Sequence, residues 1–228
     1  IMASFNVSIL FETPPDIEMK DLQKIYTDKV NEALFRLQKC ESLIESYFEI
    51  KDLLDLESSI LHLRKALEIF ALASIAPNKI KYQEYRAQAD KNPDYTKDYK
   101  ASSILKALSG INSDFYPIPL LPAKKLENGT WHFNRKIGKF FDKNQFIKLY
   151  DRLGKYLHAD NPWGNNKEWE DFALVVRDGI SSIRDLFKLY FTVIRTPEFT
   201  GVWVLETREN VVQFLVAESH GEFIVENY

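Results

Sequence analysis

Amphipathic helical patterns cover most of the chain. Apolar residues recur at alternating spacings of four and three over 18–48 and 52–76, and again after Asn166 to about Thr196. This spacing lines up apolar side chains on one side of an α-helix. The short connection between the first two segments predicts that they pack as antiparallel neighbours. In the first helix the apolar series is Tyr26, Val30, Ala33, Leu37, Cys40, Ile44 and Tyr47.

Shorter patterns predict strands and turns. Apolar residues alternate with small or polar ones near the N-terminus, over 4–12. The runs 202–205, 211–216 and 223–225 are rich in β-branched and aromatic residues. Asn128–Gly129 is a tight-turn pair and predicts a small hairpin.

These elements together indicate a mainly α fold. We predict an antiparallel helical bundle over 16–197 and a small antiparallel β meander over 198–228 that packs on it. The meander is too small to be stable alone, and the N-terminal strand at 4–12 can join it. The exposed edge of this meander is also a place where a partner strand could pair.

Composition excludes several classes of protein and site. Hydrophobic residues make up 45% of the chain and charged residues 28%, as in soluble globular proteins. Cys40 is the single cysteine, which excludes an intrachain disulfide and suits a cytoplasmic location. No apolar run approaches the roughly 20 residues of a membrane span, so we expect no membrane partner. The histidines lack ligand spacing and no glycine-rich phosphate loop is present, so no metal or cofactor is predicted.

Charge is distributed unevenly. Lys124 to Lys155 contains nine basic and three acidic residues, a net charge of +6, whereas 156–228 has a net charge of −6. One interpretation is that a polyanion such as RNA approaches the basic segment. The other is a solvated helix face that pairs with acidic neighbours.

The basic segment ends in the stretch 150–163, which contains Arg152 and His158. Asp142 with Gln145 predicts a capping box at the start of its helix, and the residue before Pro162 ends the helix at the latest. An imidazole suits acid–base chemistry near neutral pH, and a guanidinium suits a phosphate. Together they could cleave RNA without a metal, through attack by the ribose 2′-hydroxyl.

The spacing of this arginine and histidine resembles the signature of the HEPN superfamily (higher eukaryotes and prokaryotes nucleotide-binding). Arg152 and His158 have five residues between them, and the segment 62–68 is similar to early helices of that family. The resemblance implies a helical bundle, frequent homodimers and metal-independent RNA cleavage in toxin or phage-defence systems. It also implies an alternative, because some members are non-catalytic interaction partners or nucleotide-binding modules.

The helix geometry of Arg152 and His158 limits how they can form one site. Residues six apart lie about 120° apart on a straight helix. A joint site for Arg152 and His158 therefore requires a break near Gly154, an unwound last turn, or a second subunit. The supporting candidates are Arg64, Glu68, Asp151, Lys155, Asp160 and Asn161.

Each candidate also has an ordinary structural interpretation. Arg64 and Glu68 are either a surface ion pair or part of a polar cluster that faces the site. His158 could instead satisfy free carbonyl groups at the C-terminus of its helix, with Asp160 and Asn161 only turning the chain. Trp163 could stack on bases, but we interpret it as a buried packing residue.

Overall fold

A computed structural model describes residues 5–7, 17–89, 93–125, 127, 131–164, 167–195 and 200–216 of the chain. Within these residues it contains six α-helices: α1 (Ile17–Ile50), α2 (Leu53–Ala73), α3 (Lys79–Ala87), α4 (Ala101–Ile111), α5 (Lys143–Tyr156) and α6 (Trp169–Lys188). The expectation of a mainly helical fold with a small antiparallel sheet is confirmed.

The described strands form two antiparallel sheets. They are β1 (Phe5–Val7), β2 (Ile118–Pro119), β3 (Lys124–Lys125), β4 (Trp131–Phe133), β5 (Leu189–Arg195), β6 (Thr200–Arg208) and β7 (Val211–Val216). One sheet has the order β1-β4-β3 and the other the order β2-β5-β6-β7. The N-terminal strand β1 therefore pairs with β4, and not with the C-terminal meander that it could have joined.

The α1–α2 hairpin is the central scaffold. Cys40 and Ser59 exchange hydrogen bonds with each other's main-chain carbonyls, at 3.5 and 3.1 Å. Ser46 donates to Asp55 at 2.6 Å nearer the connection. These pairs fix the antiparallel register of the two helices. All seven members of the apolar series predicted for α1 are buried, because they face the protein core rather than solvent.

The larger sheet is part of the main core. Trp203 on β6 is fully buried and its ring centroid lies 5.5 Å from that of Tyr26 on α1. The hydroxyl of Tyr26 donates to that of Tyr190 on β5 at 3.2 Å. β5 and β6 pair along the whole of β5. The predicted division at 197/198 therefore falls between two paired strands of one sheet.

The predicted end of the last helix is wrong. α6 ends at Lys188, and 189–195 form β5 instead of continuing the helix to Thr196. All of 189–194 are buried, so the strand is covered on both faces and shows no polar alternation. Tyr190 and Ile194 therefore fit both a helical spacing of four and the same face of a strand. The strand expected at 223–225 lies outside the described residues, as does the Asn128–Gly129 turn.

Candidate active site

A complete capping box sets the start of α5. The Asp142 carboxylate accepts a hydrogen bond from the Gln145 main-chain N–H at 2.8 Å, and the Gln145 side chain accepts from the Asp142 N–H at 2.9 Å. Both donors belong to the group that a helix N-terminus leaves unpaired. Phe146, Leu149 and Leu153 are buried along the inner face. The helix that carries the motif thus begins with the predicted capping box and is also held along its inner face.

Arg152 lies on an exposed face of α5 and contacts α6. Its guanidinium carbon lies 4.9 Å from the centroid of the Phe172 ring. Tyr156 also contacts this ring, and the two ring centroids are 3.6 Å apart in a stacked arrangement. A guanidinium over an aromatic face is stabilised electrostatically, by about 0.5–1 kcal/mol at an exposed site. Phe172 therefore orients Arg152 beside the end of α5.

His158 lies beyond the helix. α5 ends at Tyr156 and Leu157 is its C-cap, so the geometry of a straight helix does not apply to the histidine. The side chain of His158 is exposed. A joint site with Arg152 requires a break in the helix, an unwound last turn or a second subunit. In the structure the helix ends between Arg152 and His158. The relation of this motif to a second copy of the chain stays a prediction.

Lys167 holds the segment that follows α5. Its ammonium group donates to the main-chain carbonyls of Tyr156, at 3.2 Å, and of His158. It also forms an ion pair with Asp160 at 2.8 Å, and its own side chain is only 12% exposed. A single cation thus binds one carbonyl group that the helix end leaves free and a second one just beyond the helix. This role was proposed for His158 itself, but Lys167 performs it and leaves the imidazole exposed.

Sequence reasoning missed Lys167 because its hydrogen bonds to Tyr156 and His158 are with main-chain atoms. Main-chain carbonyls have no sequence signature, and the lysine lies nine residues after His158. Asp160, a candidate for the site, is the partner of this lysine. Asn161 accepts a hydrogen bond from the Trp163 N–H at 3.0 Å and so turns the chain. Trp163 is 91% exposed, and our expectation that it is buried is therefore wrong.

Replacing Lys167 by methionine is expected to loosen the segment after α5. The change keeps the length of the side chain but leaves the two carbonyl groups and Asp160 without their donor. We expect the free energy of unfolding to fall by about 1–2 kcal/mol in urea denaturation. Amide hydrogen exchange over 157–161 should rise about tenfold. Lys167→Arg keeps the charge and should stay near the wild-type values, whereas equal effects of both variants would contradict the assignment.

Arg64 and Glu68 form a polar cluster with α5 rather than an isolated surface pair. Arg64 donates from Nη1 to the main-chain carbonyl of Tyr150 and from Nη2 to its hydroxyl, both at 2.8 Å. The Tyr150 hydroxyl donates to Glu68 at 2.9 Å. The side chains of Arg64 and Glu68 are 25% and 23% exposed. Burial and, less strongly, the hydrogen bond to Glu68 raise the pKa of Tyr150 to about 12, so the phenol stays protonated and remains a donor.

The cluster braces α5 from α2, whereas Phe172 contacts Arg152 from α6. A Cβ atom added to Gly154 would lie 2.6 Å from Nη1 of Arg64, so the absence of a side chain there lets the guanidinium approach the helix backbone. The cluster contacts Tyr150 and Gly154 but not Arg152 or His158. Its role is therefore to position the helix. Asp151 and Lys155, the other two candidates on α5, are exposed.

Comparisons with other proteins do not assign this site. Among the described residues, no group of three or more His, Cys, Asp or Glu side chains is arranged to hold a metal ion. None of the helices in the described ranges has the length and apolar character of a membrane span. No family model matches the chain, and the searches of curated proteins and of solved structures find no match.

Proposed function

We propose that the protein is a metal-independent endoribonuclease that uses Arg152 and His158. The observation that supports this function best is the exposure of both side chains at the end of α5, which ends between them. Phe172 orients the arginine, and Lys167 holds the main chain of the histidine. The proposal requires that the imidazole and the guanidinium reach one phosphate of a flexible strand.

The chemistry follows from the two groups. The His158 imidazole takes the proton of a ribose 2′-hydroxyl, and the 2′-oxygen attacks the adjacent phosphorus. The bond from phosphorus to the 5′-oxygen breaks, that oxygen takes up a proton from water, and the imidazolium gives its proton to the resulting hydroxide. The products are a 2′,3′-cyclic phosphate and a 5′-hydroxyl. Arg152 stabilises the negative charge that develops on the phosphate oxygens.

The proposal includes a homodimer. Two copies related by a two-fold axis would bring two arginines and two histidines to one substrate strand. Trp163 follows the motif and is fully accessible for stacking on a base. The proposal also includes a role in a toxin or phage-defence system, which is supported only by the family resemblance.

The decisive experiment uses substrate chemistry. Purified protein is incubated with a labelled RNA, and with DNA of the same sequence, in the presence of excess EDTA. We expect cleavage of RNA only, with 2′,3′-cyclic phosphate ends identified by mass spectrometry. Cleavage of DNA, a requirement for divalent metal, or intact RNA at every pH from mildly acidic to mildly basic would each overturn the proposal.

A non-catalytic interaction or nucleotide-binding module of the same fold is the second candidate. Val211 and Leu215 on β7, at one edge of the larger sheet, are exposed apolar residues, which favours a protein partner at that edge. Part of this edge is already paired, because the Val212 N–H donates to Asn31 of α1 at 2.7 Å. Intact RNA in the experiment above would favour this candidate.

A further inference from the structure

The outer side of the α1–α2 hairpin carries a cluster of basic residues away from the α5 motif. The Cys40–Ser59 pair places the segment 35–39 of α1 beside 61–65 of α2. Residues three or four apart share one side of a helix. We call this surface the basic face, and its residues are Phe35, Arg36, Lys39, Leu61, His62 and Lys65.

Three cations lie near the His62 side chain on the basic face. Burial lowers the pKa of His62, and the charges of Arg36, Lys39 and Lys65 lower it further. Lys39 and Lys65 are exposed. Glu32 pairs with Arg36 at 3.7 Å, but it also binds Lys29 at 2.8 Å, so its charge is shared between two cations.

Apolar side chains alternate with these cations. Phe35 is 71% exposed and lies four residues before Lys39 on α1, and the half-exposed Leu61 lies four residues before Lys65 on α2. An exposed phenylalanine costs free energy in water unless a partner covers it. Cations beside accessible aromatic rings are the arrangement by which proteins bind single-stranded nucleic acid, since phosphates pair with the cations and bases stack on the rings.

We propose that the basic face binds single-stranded RNA, with Lys39 and Lys65 on its phosphates and Phe35 stacked on a base. The inference rests on the proposed ribonuclease function for the identity of the polyanion. α2 joins the two surfaces, because Arg64 and Glu68 on the same helix contact α5.

Fluorescence anisotropy tests this surface with the protein made unable to cleave. A labelled single-stranded RNA of roughly 20 nucleotides is titrated into His158→Ala protein over a range of salt concentrations. Adding Lys39→Ala and Lys65→Ala should weaken binding about tenfold. It should also reduce the magnitude of the slope of log affinity against log salt by about 1.4, since two phosphate contacts are lost. Phe35→Ala should weaken binding at least about fivefold without changing the slope.

The matched control removes two lysines elsewhere. Lys100 and Lys106 are exposed at the start of α4 and within it, and their replacement by alanine removes the same charge from another surface. An equal change in slope with this control would show general charge attraction and overturn the proposal. No binding by the His158→Ala protein, or unchanged binding in the basic-face variants, would overturn it as well.

The cleavage and binding experiments distinguish failure of the ribonuclease proposal from failure of the basic-face proposal. If wild-type protein cleaves RNA while the basic-face variants bind normally, the basic face is wrong and the ribonuclease proposal stands. If the basic-face variants lose binding but wild-type protein leaves RNA intact, the surface is supported and the catalytic proposal is wrong.

Discussion

Replacing His158 by alanine is expected to lower the rate of RNA cleavage by about 10²- to 10⁴-fold, which is the range for loss of a general base. The fold should not change, because the imidazole is exposed and lies beyond the end of α5. Initial rates on a labelled RNA give the loss of activity. Thermal melting of the same samples should show a midpoint close to that of the wild type.

Arg152→Ala is the companion variant and is expected to lower the rate by about 10²- to 10³-fold. It also removes the contact with Phe172, so a stability loss of up to about 1 kcal/mol is expected. Lys148→Ala is the control, because Lys148 is an exposed cation on the same helix. A similar loss of rate in Lys148→Ala would indicate that only the overall charge of α5 matters.

Mixing the two inactive variants tests the homodimer. When the two variants exchange subunits at random, half of all dimers contain one subunit of each variant. If Arg152 of one copy acts with His158 of the other, each of these heterodimers contains one intact site. The mixture should then recover about a quarter of the wild-type rate. No recovery, with subunit exchange verified by differently tagged chains, would place both groups in one copy.

Parts of the fold could be predicted from the sequence because one face of each long helix is buried. The seven apolar residues of α1 follow the helical period, and all of them are buried. β5 could not be assigned in this way, because 189–194 are buried on both faces and the run lacks the polar positions that distinguish a strand from a helix. The partner of β1 depends on contacts distant in sequence, which local patterns do not encode.

The sequence likewise indicates some residues of the candidate site and not others. Arg152 and His158 stand out because their side chains have a recognisable chemistry and spacing. Phe172 and Lys167, which hold them, act through a ring face and through main-chain carbonyls. The sequence indicates the pairing of Arg64 with Glu68 but not their partner Tyr150, because Arg64 and Tyr150 are 86 residues apart in sequence and meet only through the packing of α2 and α5.

Arg64→Ala is expected to lower the free energy of unfolding by about 3 kcal/mol. The variant removes two charge-assisted hydrogen bonds to Tyr150, each worth about 1.5–3 kcal/mol, and leaves Glu68 without its cation. Partial exposure of the guanidinium keeps the loss near the lower end of the combined range. Chemical denaturation with a two-state fit measures the loss. A change below about 1 kcal/mol would mean that the cluster does not brace α5.

Gly154→Ala separates the brace from the helix itself. In the wild type the added Cβ would lie 2.6 Å from Nη1 of Arg64, so the guanidinium must move and its bonds to Tyr150 weaken. That loss outweighs the gain of about 1 kcal/mol that alanine brings to a helix interior, and we expect a net destabilisation of about 1–2 kcal/mol. In an Arg64→Ala background the obstacle is gone, and the same change should stabilise the protein by about 1 kcal/mol. This reversal of sign is a coupling energy between the two positions. A Gly154→Ala effect of the same sign in both backgrounds would show that the space at Gly154 is not reserved for Arg64.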